Sequence, residues 1–356
     1  MKTMKSILLS TFLMFISVPY LYAQIVNPTG YLTESDPDDI WAHTLNGSHF
    51  NEFWNYHFYL NDDVTLYITF SVANFGSLKS AVSGLQVSVL NLNDQVFQLS
   101  REYNLDHLVQ DKEKYLFRNR MEREIYFEGK LPDTHKIRIN TTKDGVSYDI
   151  DLNLHNILQG IIWDDGKFLI GNEEVGIITH IPYAKVDGTI EIDGIRKVVS
   201  GSAYMDHTFQ NQTTTRLIDS GFRFVNHQDE ENWDLYYFML PDESEDNATI
   251  GYRLKNRNGN VRVHGIEKIT RLEEQRVFNE DIAELLEIEL SNGEKVQIVR
   301  TVDIEKFSVL SELSRIARGI AKRFLGGEVI HFRGKANLEE TGHRPISGHY
   351  SYFIVD

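Results

Sequence analysis

The 356-residue chain contains no cysteine. Disulfides, thiolate metal sites and a lipid-modified N-terminal cysteine are therefore excluded, and the fold must rest on its core and its sheet pairing. No CxxC or HExxH occurs to bind zinc, no G-x-S-x-G elbow to carry a nucleophile and no GxxxxGK[ST] loop to cradle phosphate. His43, His49 and His57 do not have metal-ligand spacing on a helix. Asp36-Pro37-Asp38-Asp39 resembles a fragment of a calcium loop, but it lacks the glycine and the closing glutamate and reads as a solvated turn. Neither a metal nor a cofactor is expected. Positive charge is also scarce: 36 Lys and Arg face 52 Asp and Glu, a formal net charge of −16. Repulsion of a polyanion makes nucleic acid an unexpected partner.

Long apolar runs are missing except at the start. Met1 to Ala23 reads as a secretory signal, with Lys2 and Lys5 ahead of an apolar stretch from Ile7 to Val18, then Pro19 and Ala23 before a cleavage point at Gln24. Its removal would bring the charge to −18, because two lysines and no acids leave with it. The expectation is an exported protein, periplasmic or secreted and soluble after cleavage. No later segment is long and apolar enough to span a bilayer.

What fills the rest is strand pattern. Leu66 to Val72 and Ser83 to Val89 alternate or crowd β-branched and aromatic residues. Asp144-Gly145, Asp193-Gly194, Asn258-Gly259 and Asn292-Gly293 each lie between apolar-rich runs and mark hairpins, because these dipeptides accept positive φ. Two related halves emerge. Phe53 to Asp63 lines up with Trp233 to Glu243, matching in class at six of eleven positions. Gly188 to Gly201 resembles Gly334 to Gly348. Their shared order points to duplication, with the join between 208 and 225. One stretch has helical period: Ile304, Phe307, Leu310, Leu313, Ala317, Ile320, Ala321 and Phe324 recur at three- and four-residue steps, predicting a helix from Asp303 to Leu325.

The richest feature is a hairpin. Ile181-Pro182-Tyr183-Ala184-Lys185-Val186-Asp187-Gly188-Thr189-Ile190 turns at Asp193-Gly194 into a strand ending Gly201-Ser202-Ala203-Tyr204-Met205-Asp206-His207. This order resembles the superfamily of carotenoid hydratases (hydroxyneurosporene synthases), AttH-like proteins and fungal lipocalin-like Diels–Alderases. Glu52 to Phe58 is similar to that superfamily's opening strand of an acid and aromatics, and Asn232 to Phe238 extends the match, which covers roughly residues 30–356. Where carotenoid hydratases continue with Asn-Trp-Gly, this chain has Thr208-Phe209-Gln210, so the fold carries over better than the reaction. The resemblance implies an all-β protein of tandem lipocalin-like antiparallel barrels, residues 24–215 and 216–356, with the helix near the C-terminus. That helix either lies on an anionic membrane through its basic residues Arg315, Arg318, Lys322 and Arg323 or packs across the second barrel, as such helices commonly do in lipocalin-like folds. The second placement is expected.

Candidate chemistry follows from strand alternation. Asp206 and His207 point to opposite faces, so one of them enters a given lumen, and Tyr204 shares the Asp206 face. Glu52 shares its face with Trp54 and Tyr56; among aromatics it would have a raised pKa and could protonate a double bond. Asp206, His207, Glu52 and Tyr204 are the catalytic candidates. Trp54, Tyr56, Tyr183, Trp233, Tyr237 and His349 are the ligand-lining candidates, and each also reads as plain core or strand structure. Two functions stay open. One is an exported module that binds a hydrophobic small molecule (isoprenoid, polyene or lipid) in a cavity near the domain interface. The other is a hydratase, isomerase or cyclase acting on such a molecule through Asp206, His207 and Glu52.

Overall fold

The computed structural model describes residues 25–241, 249–312 and 314–356. The expected signal at Met1 to Ala23 lies outside them. The described chain forms one 15-stranded antiparallel sheet followed by a closed eight-stranded barrel. The hairpin signals fall where the sequence puts them. Asp144-Gly145, Asp193-Gly194 and Asn258-Gly259 are two-residue turns with positive φ at both positions. Two more such turns, Asn93-Asp94 and Phe278-Asn279, have positive φ at both positions without glycine.

In the first half the strand order runs Gln95–Asn104, Val82–Leu92, Thr65–Phe75, His49–Leu60, Ile195–Gln210, Glu173–Ile192, Val146–His155, His135–Lys143 and on through three short strands. The sheet curls until its first edge meets its far side, and side chains join the two. Tyr148 donates to the Gln98 carbonyl at 2.8 Å, Lys143 to the Ser100 carbonyl at 3.1 Å, and Arg101 to Thr141 Oγ1 at 2.9 Å. The inner face, with Trp54, Tyr56, Phe58, Ile68, Val87, Ile139 and Ile150, forms a core of its own. The second half closes by a ladder, Ile218–His227 pairing Ile346–Val355.

The repeated stretches sit unequally in this frame. Each half ends in a hairpin whose last strand returns to the first, Ile195–Gln210 to His49–Leu60 and Ile346–Val355 to Ile218–His227. The closing repeats thus occupy equivalent places. The opening repeats do not: Asn232–Pro241 is the barrel's second strand, so the counterpart of His49–Leu60 by position is Ile218–His227. Class matching between aromatic-rich strands tracks burial pattern rather than order, and every second-half strand near the seam is aromatic.

The helix begins twelve residues later than its period suggests. Asp303 to Phe307 finish the strand Lys295–Phe307, where Glu305 pairs across to Arg333 and Phe307 to His331. Apolar residues three apart fit a bulged strand as well as a helix, and the ladder decides. A 3-10 turn follows over Val309–Glu312, then the helix Arg315–Leu325, capped by the Ser314 hydroxyl at the Ala317 amide and stopped by Gly326 at φ 82°.

A mixed seam joins the halves. Trp163, Phe168, Tyr183, Tyr204, Trp233, Tyr237 and Tyr252 share a third apolar cluster. Charge crosses it at Lys335–Asp63 (2.6 Å) and Lys185–Glu230 (3.4 Å), and Arg333 Nη1 donates to Ser88 Oγ at 2.6 Å.

Candidate functional site

The strand Ile195–Gln210 lies beside His49–Leu60 with Asp206 opposite Asn55 and His207 opposite Trp54. Successive residues face opposite ways, so Asp206 and His207 part company at once. His207 enters the first half's interior and Asp206 faces the second barrel.

Inside, His207 Nε2 lies 2.7 Å from Glu52 Oε1, both side chains fully buried. Glu52 also accepts from the His43 amide (2.8 Å), the Thr44 amide (3.1 Å) and the Thr44 hydroxyl (2.6 Å). His207 Nδ1 faces the Asp39 carbonyl at 3.3 Å, and the ring stacks on Trp54 at 4.5 Å. Trp54 Nε1 donates to the Ile40 carbonyl at 2.8 Å. The pair therefore staples residues 39–44 over the end of the core. Burial would raise the Glu52 pKa, but the hydrogen bonds from His207, Thr44 and His43 outweigh it and hold the carboxyl below its ordinary value. The expected acid with a raised pKa is thus overturned. Aromatic neighbours predicted desolvation correctly, while the donors came from a segment that no strand pattern located.

Outside, Arg223 grips Asp206 with two bonds, Nε to Oδ2 at 2.6 Å and Nη2 to Oδ1 at 3.0 Å. Asn55 donates to the same carboxylate at 2.8 Å, and Asp206 is 0% exposed. Burial alone would lower the guanidinium pKa; the Asp206 carboxylate more than offsets this and raises it. The guanidinium lies over the Tyr237 ring at 4.4 Å, and Thr208 bridges to the Tyr237 hydroxyl at 3.1 Å. Burial pushes Tyr237 up to about 12 and Tyr204 well above its ordinary value, the Asp206 charge adding to the latter. Arg223 Nη1 has no hydrogen-bond partner among the described residues, and Arg223 borders open space.

That space is a cavity of about 620 Å³ between the halves. Its floor is the outer face of five neighbouring strands, built from rows of residues directly opposite one another. One row runs Asp206, Asn55, Thr69, Gln86, Ser100; the next runs Thr208, Phe53, Ser71, Gly84, Glu102. Asn55, Thr69, Gln86, Ser100 and the whole second row line the cavity. Gly84 keeps the floor low, since a Cβ there would come within 2.6 Å of Ser71 Oγ. Tyr237, Met239 and Phe353 of the barrel form the facing wall, and Ala321, Phe324 and Leu325 of the helix border it. Gln86 Nε2, Asn51 Oδ1 and Thr213 Oγ1 are buried without hydrogen-bond partners, and all three residues line this cavity. Buried polar atoms left unpaired are costly.

Of the ten side chains singled out from sequence, Tyr237 lines the cavity. Asp206 and Tyr204 stand just behind its wall, in contact with each other through an Asp206 hydrogen bond. Glu52, His207, Trp54 and Tyr56 face the first core instead. Trp233 and Tyr183 belong to the seam cluster, and His349 stacks on Tyr59 at 4.4 Å, its pKa pushed down to about 4 by burial. Arg223, Asn55, Phe53 and Gln86 belong to the site as well, without a motif that singles them out. A signal for Arg223 was present: a lone cation in the run Phe222-Arg223-Phe224, inside a strand with no other charge but Asp219.

No protein-family model matches the sequence, and no curated protein sequence matches it either. Solved structures do match the fold. An AttH candidate from Nitrosomonas europaea superposes with a TM-score of 0.63 at 12% identity, over 89% of this chain and 96% of that one. CghA with Sch210972 gives 0.56 at 10% identity, covering 91% and 98%. Kievitone hydratase from Nectria haematococca gives 0.51 at 11% identity, covering 94% and 97%. The fold is therefore the lipocalin-like one that the hairpin motif implies. At these identities the likeness speaks for the fold and leaves the chemistry to the residues.

Proposed function

We propose that this protein binds an elongated, largely apolar small molecule with an oxygenated end in the cavity between its halves. The observation that carries this is the cavity itself: about 620 Å³, mixed apolar and polar in lining, with three unpartnered buried polar groups and the Asp206–Arg223 pair at its wall. A volume of this size suits a ligand of drug-like or lipid-like size. Phe53, Val82, Leu85, Met239 and Phe353 would cover a polyene or isoprenoid chain, while Arg223 would meet its oxygen atoms. A signal at Met1 to Ala23 fits an exported carrier, and that location is part of the proposal.

A catalytic role is the second reading. Two of the structural neighbours favour it in kind, one being named a hydratase and the other solved with a small molecule. In this chain Asp206 is not free to act as a base, because Arg223 and Asn55 occupy its oxygens. Arg223 and Tyr237 are the groups placed to donate toward a ligand carbonyl or alkoxide, so any chemistry here would polarise an oxygen rather than begin with proton abstraction by Asp206.

Mass spectrometry of an organic extract of the purified protein should show a bound small molecule, and titration with cis-parinaric acid, a fluorescent polyene carboxylic acid, should show saturable uptake. Ser71→Phe, which fills the floor, should reduce that uptake at least tenfold while leaving the fold intact. Absence of uptake in the parent protein, or uptake unchanged by Ser71→Phe, overturns the reading.

A further inference from the structure

The C-terminal helix, expected to pack across the second barrel, meets it through Arg318 and Lys322 and leaves an apolar stripe outside that contact. No residue of Arg315–Leu325 is buried. Ile316, Ile320 and Phe324 are 79%, 54% and 57% exposed. At four-residue spacing these three form one stripe along the helix. The opposite flank, Ala321 and Leu325, turns toward the cavity, and Phe324 belongs to both sides because it lines the cavity margin and also faces solvent. Such a stripe is costly to leave in water, and among the described residues it stands exposed.

Charge selects what would cover it. The segment from Ser314 to Gly327 carries Arg315, Arg318, Lys322 and Arg323 and no acid, on a chain whose net charge is −16. Arg318 is held by Glu328 at 2.8 Å and Lys322 by Asp356 at 2.5 Å, both on the inner side. Arg315 and Arg323 are exposed and have no ion-pair partner among the described residues. On a helical projection Arg323 falls beside Ile316 and Ile320, so a free cation and free apolar side chains share one outward surface, while Arg315 stands at the exposed N-terminal end of the helix, off the stripe. A water-facing stripe of isoleucine and phenylalanine edged by arginine suits the boundary of an anionic bilayer, where the side chains sink among acyl chains and the guanidinium groups meet phosphate.

We propose that the helix Arg315–Leu325 docks this protein on an anionic lipid surface through Ile316, Ile320 and Phe324, with Arg315 and Arg323 on the lipid headgroups. Docking in this pose sets the Phe324 margin of the cavity against the membrane, where a lipid-dissolved ligand would pass between the bilayer and the space under the helix. The docking stands independently of the ligand assignment, because empty vesicles test the one and a soluble fluorescent probe tests the other.

Flotation of the full chain with phosphatidylglycerol-rich vesicles should carry the protein to the lipid layer, and pure phosphatidylcholine vesicles should carry much less. The triple variant Ile316→Ser, Ile320→Ser, Phe324→Ser should lose binding to both. Arg315→Glu with Arg323→Glu should lower binding to the anionic vesicles about tenfold or more, and added salt should weaken the parent protein's binding in the same direction. All five positions are exposed, so circular dichroism and melting temperature should be unchanged, which separates lost docking from lost folding. The variants keep residues 1–24, so binding through that apolar stretch would survive the triple substitution and would overturn the assignment. Equal binding to neutral and anionic vesicles overturns the role of the arginines. If the parent binds no vesicles and instead self-associates in a way the triple variant abolishes, the stripe is a contact between copies and the membrane proposal falls.

Discussion

Two acid–base pairs stand back to back across the strand Ile195–Gln210, one reaching His49–Leu60 and the other Ile218–His227, and they differ in what surrounds them. Glu52–His207 points inward, receives donors from His43 and Thr44, and does not line the cavity between the halves. Asp206–Arg223 points outward, joins the two halves, and stands at the wall of a cavity of about 620 Å³. Sequence position makes them neighbours, yet strand alternation places one in a core and the other at an interface. Proximity to a carboxylate and an aromatic wall therefore does not by itself make an acid reactive; access and leftover hydrogen-bonding capacity do.

The largest expected effect lies along the seam that the outer pair helps to close. His57, His227, His331 and His349 are packed there, with Arg223 and Arg333 near His57 and Lys335 near His349. Burial pushes His227 and His331 down to about 3 and His349 to about 4, and His57 well below its ordinary value. Unfolded, these rings would take up protons near 6.5. Between those pH values the unfolded chain binds more protons, so stability is complete above about pH 6.5 and falls steadily as the pH drops toward about 4. Urea midpoints measured across that window should decline continuously, and His227→Gln should flatten the slope. A midpoint independent of pH would break the account of a neutral histidine seam.

Next in size is the outer pair itself. Arg223→Met keeps much of the side-chain volume but leaves Asp206 buried with its charge uncompensated, at a cost of about 3–5 kcal/mol. Chemical denaturation should show this, and adding Asp206→Asn should recover a substantial part of the loss. If the double variant is no better than the single one, the guanidinium contributes by packing on Tyr237 rather than by pairing.

The inner pair should matter least. Glu52→Gln keeps the shape and some of the bonds to residues 43–44 but weakens the bond to His207, costing about 1–3 kcal/mol. Uptake of cis-parinaric acid should be unchanged, because neither partner lines the cavity. Reduced uptake with unaltered stability would return Glu52 to the functional site and erase the contrast between the two faces.

Some of this was legible from residues alone. Asp-Gly and Asn-Gly between apolar runs located hairpins because their backbone tolerance is a local property, and period-two alternation put Glu52 with Trp54 and Asp206 opposite His207 because the pleat requires it. The hairpin motif carried the lipocalin-like fold for the same reason: its turn and its alternation are written within thirty residues. Where local patterns were ambiguous they misled. Ile304 and Phe307 fit a helical step, but the pairing of Glu305 with Arg333 drew them into a strand.

The sequence thus determined the strands, their turns and the face each residue takes, since those depend on neighbours in the chain. Only the tertiary structure decided which face became a core and which a cavity, and which acid was left with a free partner. Arg223 reaches Asp206 across seventeen positions, Glu52 reaches His207 across 155, and Gln86 comes into the row of Asp206 by three successive pairings. Those distances are set by how the sheet curls and how the barrel docks upon it, and no periodicity along the chain records either.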